Sequence, residues 1–403
     1  MPVPLSAELL DLLGRMRDFI DGEVIPSEPL LREATVESLV EMERLKAEAK
    51  SKGLWALGHP ADIGGGGLGF MDVTYLNEII GRSFFGQSAV GTWSMQDSIM
   101  LRKYANDEQK QRWLVPLVAG EIRSSIGMTE PEVAGSDPTL MQATAFLDGD
   151  EWVINAHKWF TTGANIAAFT TVFARTESEE AGRYKRFSAI IVPTDTQGYE
   201  LVRAIPTMGS VLGAHCEVRL TDVRVPRENL LGERGQGFIM AQDRLGPGRI
   251  FHCMRWLGQM QRAFDLMCAR SNERMIQGAP LSQNGQIRQL IAESAADIFS
   301  HRAATLAAAE AVDSGSEARM EISLIKFRGA QLLHNVIDRA IQVHGALGVT
   351  SDTPLEWMYR EARYARIYDG PDEVHRDRVA RSLCKDPAAA PWSSRSLAET
   401  VTG

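Results

Sequence analysis

In the first and last parts of this chain apolar residues recur at helical spacing, but from residue 123 to about residue 236 the pattern becomes that of short strands. This change of period constrains the fold more than any single residue, because strands set within a helical chain have to bury a face of their own. In "LMQATAFLDGDEWVINAHKWFTTG" two strand-like runs flank Asp148-Gly149, a strong hairpin signal. The segments "TTVFART", "FSAIIVPT", "YELVRAI" and "CEVRLTDVRVP" continue the series, and their spacing predicts a small barrel or sandwich.

The flanking regions read as helices. Leu9, Leu10, Leu12, Leu13 and Met16 share one apolar face, and "ESLVEMERLKAEAKSKG" is a polar-rich helix stopped by Gly53. Further helices are expected over 70 to 86 and 107 to 119, then over 238 to 271, 286 to 313 and 319 to 345, with shorter ones after Pro354 and Pro371. Ile287, Leu290, Ile291 and Ile298 recur at helical spacing, and the run of long helices predicts a four-helix bundle. The expected organisation is therefore mainly α with a central β-barrel: a helical domain over 1–122, a barrel over 123–236, a helical bundle over 237–386 and a flexible tail over 387–403. The tail, "KDPAAAPWSSRSLAETVTG", mixes Pro, Ala and Ser without periodicity.

Composition excludes several classes of function. No apolar run approaches the roughly 20 residues of a membrane span, and Met1 to Leu13 lacks the basic and apolar segments of a secretory leader. A soluble, cytoplasmic protein without membrane insertion is expected. The four cysteines and eight histidines are scattered without metal-ligand spacing, so no metal is expected. A net charge of -9 opposes nucleic-acid binding, and any anionic ligand has to meet locally placed arginines. "GGGGLG" at 64 to 69 satisfies the dinucleotide pattern G-x-G-x-x-G, but it lies in a helical region without the preceding strand, so it reads as an inter-helix loop.

Three stretches carry chemistry. "GMTEPEVAGSD" at 127 to 137 combines hydroxyls, a Pro-held turn and glycine-exposed backbone where helix gives way to strand. "HKWFTTGA" at 157 to 164 offers an aromatic plate at Trp159 beside Thr161 and Thr162, although a Trp in a strand is commonly core. "ARIYDGPDEVHRDRVAR" at 365 to 381 sets Asp369, Asp372 and Glu373 around a Gly-Pro turn. As structure, Pro371 suits a first helical position, with Asp369 or Gly370 ending the preceding turn.

Taken in order, these stretches resemble the acyl-CoA dehydrogenase family over nearly the whole chain. The family's T-E-P-x-x-G-S-D loop appears as "TEPEVAGSD", its W-[IF]-[ST] as "WFT", its Q-x-x-G-G-x-G segment as "QVHGALG" and its I-Y-E-G-T stretch as "IYDGP". The resemblance implies the same three-part architecture and FAD, with a neighbouring subunit completing the adenine and diphosphate end of a homotetramer built as a dimer of dimers. It implies that Met128 and Thr129 meet the edge of the flavin ring, that Trp159 packs on the ring and that Thr161 approaches N5. It assigns Arg274 to the FAD diphosphate across the dimer, Gln342, Val343, Gly345 and Ala346 to the adenine side, and Pro371 and Glu373 to the cofactor. It assigns Arg249, Ser136 and Gly370 to the acyl-CoA substrate and Asp369 to the catalytic base.

The chain departs from the family at several points. The Thr-Glu-Pro loop carries one extra residue before Gly135, Ala346 replaces a glycine, Gly285 a glutamine and Gly246 an acid, while Asp369 stands where a Glu is common. D-G-P-D-E-V-H resembles one subgroup, some of whose members act on long or hydroxylated acyl-CoAs.

Oxidising a thioester between its α and β carbons needs a base for the α-proton and an acceptor for the β-hydride, which a flavin supplies. In a dry site, desolvation raises a carboxylate pKa from about 3.9 toward the working range. The resemblance adds that a flavin ribityl hydroxyl and the base's own backbone N–H polarise the thioester carbonyl. An Asp that capped the helix would be held charged and weakly basic, so Gly370 is the expected cap and Asp369 stands outside. An alternative family position for the base, just before Arg249, is Gly248 and has no side chain.

The expected activity is FAD-dependent oxidation of an acyl-CoA to a trans-2-enoyl-CoA in fatty acid metabolism, with an electron-transfer flavoprotein as acceptor. Two other readings share the fold: a flavin oxidase or monooxygenase resembling nitroalkane oxidases, and a non-catalytic flavoprotein subunit.

Overall fold

The computed structural model describes residues 5–209 and 215–390. Most of the expected flexible tail, residues 391–403, lies outside the described residues, while its start, Pro387–Ala389, forms one helical turn. The chain gathers into two compact units: Asp18–Gly69 with Phe85–Gly248, and the chain up to Arg17 with Phe70–Phe84 and everything from Arg249 onward.

The first unit holds the sheet. Its strands are β1 (Ser124–Gly127), β2 (Thr144–Asp148), β3 (Glu151–Lys158), β4 (Phe169–Arg175), β5 (Phe187–Pro193), β6 (Tyr199–Ala204), β7 (Cys216–Pro226) and β8 (Leu230–Leu231). They run in the order β6-β7-β3-β2-β4-β5-β8, with β1 parallel on β4. The expected barrel is corrected here: the sheet is open, with β6 and β8 at its ends. Closure requires end strands that bond at a common tilt and stagger. β8 is two residues long and pairs only Leu230 and Leu231 with β5, and β6 is exposed from Glu200 to Ala204. Period-2 spacing reports which faces are buried, and it carries no information on closure.

β4 and β5 are buried on both faces, which is why they read as continuous apolar runs. Phe169, Phe173, Phe187 and Ile191 pack with Met100, Leu101, Trp113 and Leu117, while Val172 and Ile190 pack with Trp152, Ile154 and Val223. The hairpin forms where expected: Asp148 pairs with Glu151, and Gly149 takes the left-handed φ of 64° that the two-residue loop requires.

One irregularity keeps β7 in phase. Ile154 pairs with Val223 and Ala156 with Leu220, so β7 carries one extra residue there. Asp222 absorbs it with φ 48°, fixed by Asn155, whose Nδ2 donates to Asp222 Oδ1 at 2.9 Å and whose Oδ1 accepts from Asp222 N at 3.0 Å. This bulge moves the inward set from Cys216, Val218 and Leu220 to Val223 and Val225 without turning either set to solvent. The glycine-rich loop is a compact turn whose N–H groups are already used. Those of Gly65, Gly66 and Gly67 donate to the carbonyls of Pro60, Ala56 and His59, at 3.0, 3.1 and 2.8 Å.

The second unit is helical: Phe70–Ile80, the helix Gly237–Glu273 from Arg249 on, Gly285–Asp313, Arg319–His344, Leu355–Tyr364 and Asp372–Lys385. The expected helix over 70 to 86 stops at Ile80, and Gly86–Ala89 is a separate turn. Glycines set the approach of the first two helices. A Cβ on Gly81 would lie 2.3 Å from Arg255 Cα, and one on Gly258 would lie 2.0 Å from the Glu78 carbonyl oxygen. Arg82 and Asp265 flank this contact with a 3.1 Å ion pair. Among the described residues no helix is long and apolar enough to cross a membrane.

Two tests follow from this packing. Gly258→Ala forces backbone against backbone, so thermal or denaturant unfolding should show a loss of about 1–3 kcal/mol; an unchanged midpoint would mean that the crossing can relax. His301 is 3% exposed, and its Nε2 has no partner among the described residues. Burial holds its pKa down at about 4 against the usual 6.5. Between these values the unfolded chain binds the extra proton, so stability is present above pH 6.5 and is lost as pH falls toward 4. His301→Gln should flatten that dependence by up to about 1.4 kcal/mol per pH unit, read from urea unfolding at successive pH values.

Candidate active site

The turn after helix Leu355–Tyr364 holds Asp369. The next helix starts at Asp372 with Pro371 as its N-cap, so the cap lies one residue beyond the expected Gly370. Pro371 is extended, with ψ 159°, and its carbonyl accepts from Val374 N at 3.0 Å and His375 N at 3.3 Å. Asp369 and Gly370 both lie in left-handed backbone, with φ 54° and 99°, which turns the chain before the helix can begin. Asp tolerates this region better than most side chains. Asp372 is buried and takes Arg366 Nε at 2.8 Å, whereas Glu373 is exposed.

Four donated hydrogen bonds hold this turn by its backbone. Lys326 Nζ donates to Ala365 O at 2.8 Å and Gly370 O at 3.4 Å, and Arg249 Nε and His375 Nε2 donate to Asp369 O at 2.9 and 3.3 Å. The Asp369 side chain is 18% exposed, with Oδ2 3.1 Å from His252 Nε2. His252 Nδ1 lies 2.8 Å from Arg255 Nη2, and Arg255 Nη1 donates to Asn77 Oδ1 at 2.8 Å. Burial pulls the pKa values of Arg249 and Lys326 down and that of Arg255 to about 10, and the charge of Asp369 opposes each shift. Burial likewise holds His252 and His375 down at about 4 and pushes Cys253 up to about 12. The result is one carboxylate in the field of three cations, of which Lys326 is fully buried and Arg249 and Arg255 partly so, with the neutral imidazole of His252 beside it and that of His375 on its backbone.

In the sheet unit, Gly248 has no room for the alternative base, because a Cβ there would lie 1.8 Å from Gln96 Nε2.

The two motifs expected to meet a flavin come together in that same unit. Trp159 N donates to Thr129 O at 3.0 Å, and Lys158 Nζ donates to Met128 O at 3.0 Å and to Glu130 Oε1 at 2.8 Å. Glu130 also accepts from the backbone N–H groups of Gln142 and Ala143. Lys158 is 1% exposed, and burial brings its pKa down to about 8 against the pull of Glu130. Trp159 is half-buried and in edge contact with Phe160, whereas the core tryptophan is Trp152. Phe160 has φ 51° and is exposed. Thr161 is fully buried and exchanges backbone hydrogen bonds with Cys216, yet its hydroxyl has no partner among the described residues. A half-exposed aromatic ring followed by an orphaned hydroxyl fits a flat heteroaromatic group that accepts hydrogen bonds.

The remaining expected residues lie on separate elements. Ser136 is exposed on the loop after Gly135. Arg274 is exposed and follows helix Gly237–Glu273, at the start of a small hairpin of β9 (Met275–Ile276) and β10 (Ala279–Pro280). Gln342, Gly345 and Ala346 are exposed at the end of helix Arg319–His344, whereas Val343 points into the core. The sequence reading missed His252, Arg255 and Lys326. A signal was present for the first two, since "RIFHCMR" spaces Arg249, His252 and Arg255 three apart along one helical stripe.

Three family descriptions match in order: the acyl-CoA dehydrogenase N-terminal domain over residues 6–121, its middle domain over 125–223 and its C-terminal domain over 235–384. The "Probable acyl-CoA dehydrogenase FadE2" of Mycobacterium tuberculosis is 39% identical over 95% of this chain and 97% of its own. The rat "Acyl-CoA dehydrogenase family member 11" is 38% identical over 94% of this chain, which spans about half (50%) of that protein. A solved chain from Mycobacterium abscessus is 38% identical, covers 95% of this chain and 100% of that one, and superposes with a TM-score of 0.89. The chain belongs to the acyl-CoA dehydrogenase family, whose members are FAD-dependent oxidoreductases.

Proposed function

We propose that the chain oxidises an acyl-CoA thioester to a trans-2-enoyl-CoA, with Asp369 as the base that removes the α-proton. The observation that carries this reading is the Asp369 carboxylate, largely buried, outside the helix cap and on a turn whose carbonyls are held by Arg249 and Lys326, with Arg255 acting on it through charge. Those cations favour its ionised form, and the backbone bonds from Arg249, His375 and Lys326 fix the turn from which it acts. FAD, when bound, supplies the acceptor for the β-hydride. Met128, Thr129, Trp159 and Thr161 would hold its ring, Pro371 and Glu373 its nearby parts, and Arg274, Gln342, Val343, Gly345 and Ala346 the adenine and diphosphate end of a neighbouring subunit's cofactor. Since Val343 is core, its contribution would be to shape that segment from within. Arg249, Ser136 and Gly370 would meet the acyl-CoA.

Several companion assignments belong to the same reading. The chain falls into helical (1–122), middle β (123–236) and bundle (237–386) domains, acts as a cytoplasmic homotetramer and passes electrons to an electron-transfer flavoprotein. Its D-G-P-D-E-V-H stretch places it in the subgroup with Asp as the base.

The test is direct. Anaerobic addition of butyryl-, octanoyl-, palmitoyl- or a hydroxylated acyl-CoA should bleach the flavin, and Asp369→Asn should retain FAD but lose the bleaching. Rapid reduction of the Asn variant would put the base elsewhere. Asp369→Glu moves the carboxylate by about 1.5 Å, so reduction should slow by about tenfold or more, measured by stopped flow.

A further inference from the structure

We propose that His252 is the positioning residue of the base: its Nε2–H holds Asp369 Oδ2, and Arg255 fixes the tautomer that makes this possible. The inference rests on the reading of Asp369 as base and adds to it a specific donor and its cause. A guanidinium has only donors, so Arg255 Nη2 at 2.8 Å from His252 Nδ1 requires that Nδ1 accept. A neutral imidazole that accepts at Nδ1 carries its proton on Nε2, and that atom approaches Asp369 Oδ2 to 3.1 Å, at an angle still too bent for a formed hydrogen bond. Burial keeps the ring neutral, so at neutral pH it is a fixed one-proton donor. Arg255 is itself oriented by Asn77 Oδ1 at 2.8 Å, which extends the relay Asn77, Arg255, His252, Asp369 back to helix Phe70–Ile80.

A small turn of either side chain closes this approach into a donated bond, which would do two things. It would fix the carboxylate's rotamer on a turn whose backbone is already pinned, and it would keep the carboxylate ionised, the form that accepts a proton, at a cost in basicity confined to one neutral donor. The other titratable groups facing this pair are Arg249, Cys253 and Arg255 on the same helix, Lys326 on helix Arg319–His344, and Tyr368 and His375 on either side of the turn. Arg249, Lys326 and His375 are engaged with the turn's carbonyls, and Arg255 with His252 and Asn77.

The experiment uses the FAD-loaded full chain and whichever of butyryl-, octanoyl- and palmitoyl-CoA reduces it fastest. His252→Ala should retain FAD, slow anaerobic flavin reduction by about 10- to 100-fold and leave the half-saturating acyl-CoA concentration unchanged. It should also raise the acid limb of the rate's pH profile by about one unit, and His252→Gln, which can donate from a similar reach, should return most of both. A purely structural role would lower the unfolding temperature without moving the limb. Nitrogen-15 labelling of histidine in the unsubstituted protein gives an independent reading: His252 should be protonated at Nε2 and bare at Nδ1 down to about pH 5, and Asp369→Asn should shift the Nε2 signal. A wild-type rate and limb in His252→Ala, or the opposite tautomer, overturns the proposal. Rapid reduction of Asp369→Asn overturns instead the assignment of the base, and the two failures are read from different variants.

Discussion

Two consecutive left-handed residues bring a carboxylate to the start of a helix without allowing it to cap that helix, and the candidate site depends on this turn. An Asp in left-handed backbone costs about 1–2 kcal/mol. Hydrogen bonds from charged donors are each worth about 1.5–3 kcal/mol, and two cationic side chains, Arg249 and Lys326, donate to the carbonyls of Asp369 and Gly370. The strain is thus outweighed locally, and the turn is held from two separate helices. Pro371 completes the separation: it has no N–H to draw the carboxylate in, and its carbonyl starts the next helix.

The same economy of buried charge recurs in the sheet unit. Lys158 and Glu130 come from motifs 28 residues apart, and leaving either alone would cost about 3–5 kcal/mol. Together they satisfy a carbonyl of Met128 and the N–H groups of Gln142 and Ala143. The Thr-Glu-Pro loop and the Trp-Phe-Thr strand end are therefore one object, joined beneath the residues that face outward. Trp159 and Phe160 can then present an aromatic face from a fixed base, with the Thr161 hydroxyl buried next to them in the chain.

Much of this was legible in the residues. Helix limits for the three long helices fall within two positions of those read from periodicity, and the β2–β3 hairpin follows from Asp148-Gly149. Sheet closure was not legible, because alternation along a strand reports burial and says nothing of whether a two-residue β8 can reach β6. The extra residue at Asp222 was equally hidden, since its only cue is a partner, Asn155, on another strand. Around Asp369 the acid and Arg249 could be found by motif, but Lys326 comes from a helix more than forty residues upstream and reads there as an ordinary helical lysine. His252 lay in plain sight on the stripe of Arg249 and Arg255, and only its distances identify the atom that it addresses.

The crossing at Gly81 and Gly258 sets a scale for all of this. Side chains at an interface can change rotamer and absorb error, whereas main chain touching main chain has almost no compliance. Arg255 takes part in that contact through its own Cα and carries the relay through its guanidinium. The height of His252 along its helix is therefore gauged by where two glycines meet, more than a turn away from the imidazole. A family that varied only this pair of small residues would slide the donor along the carboxylate, changing the chemistry without altering any residue that touches it.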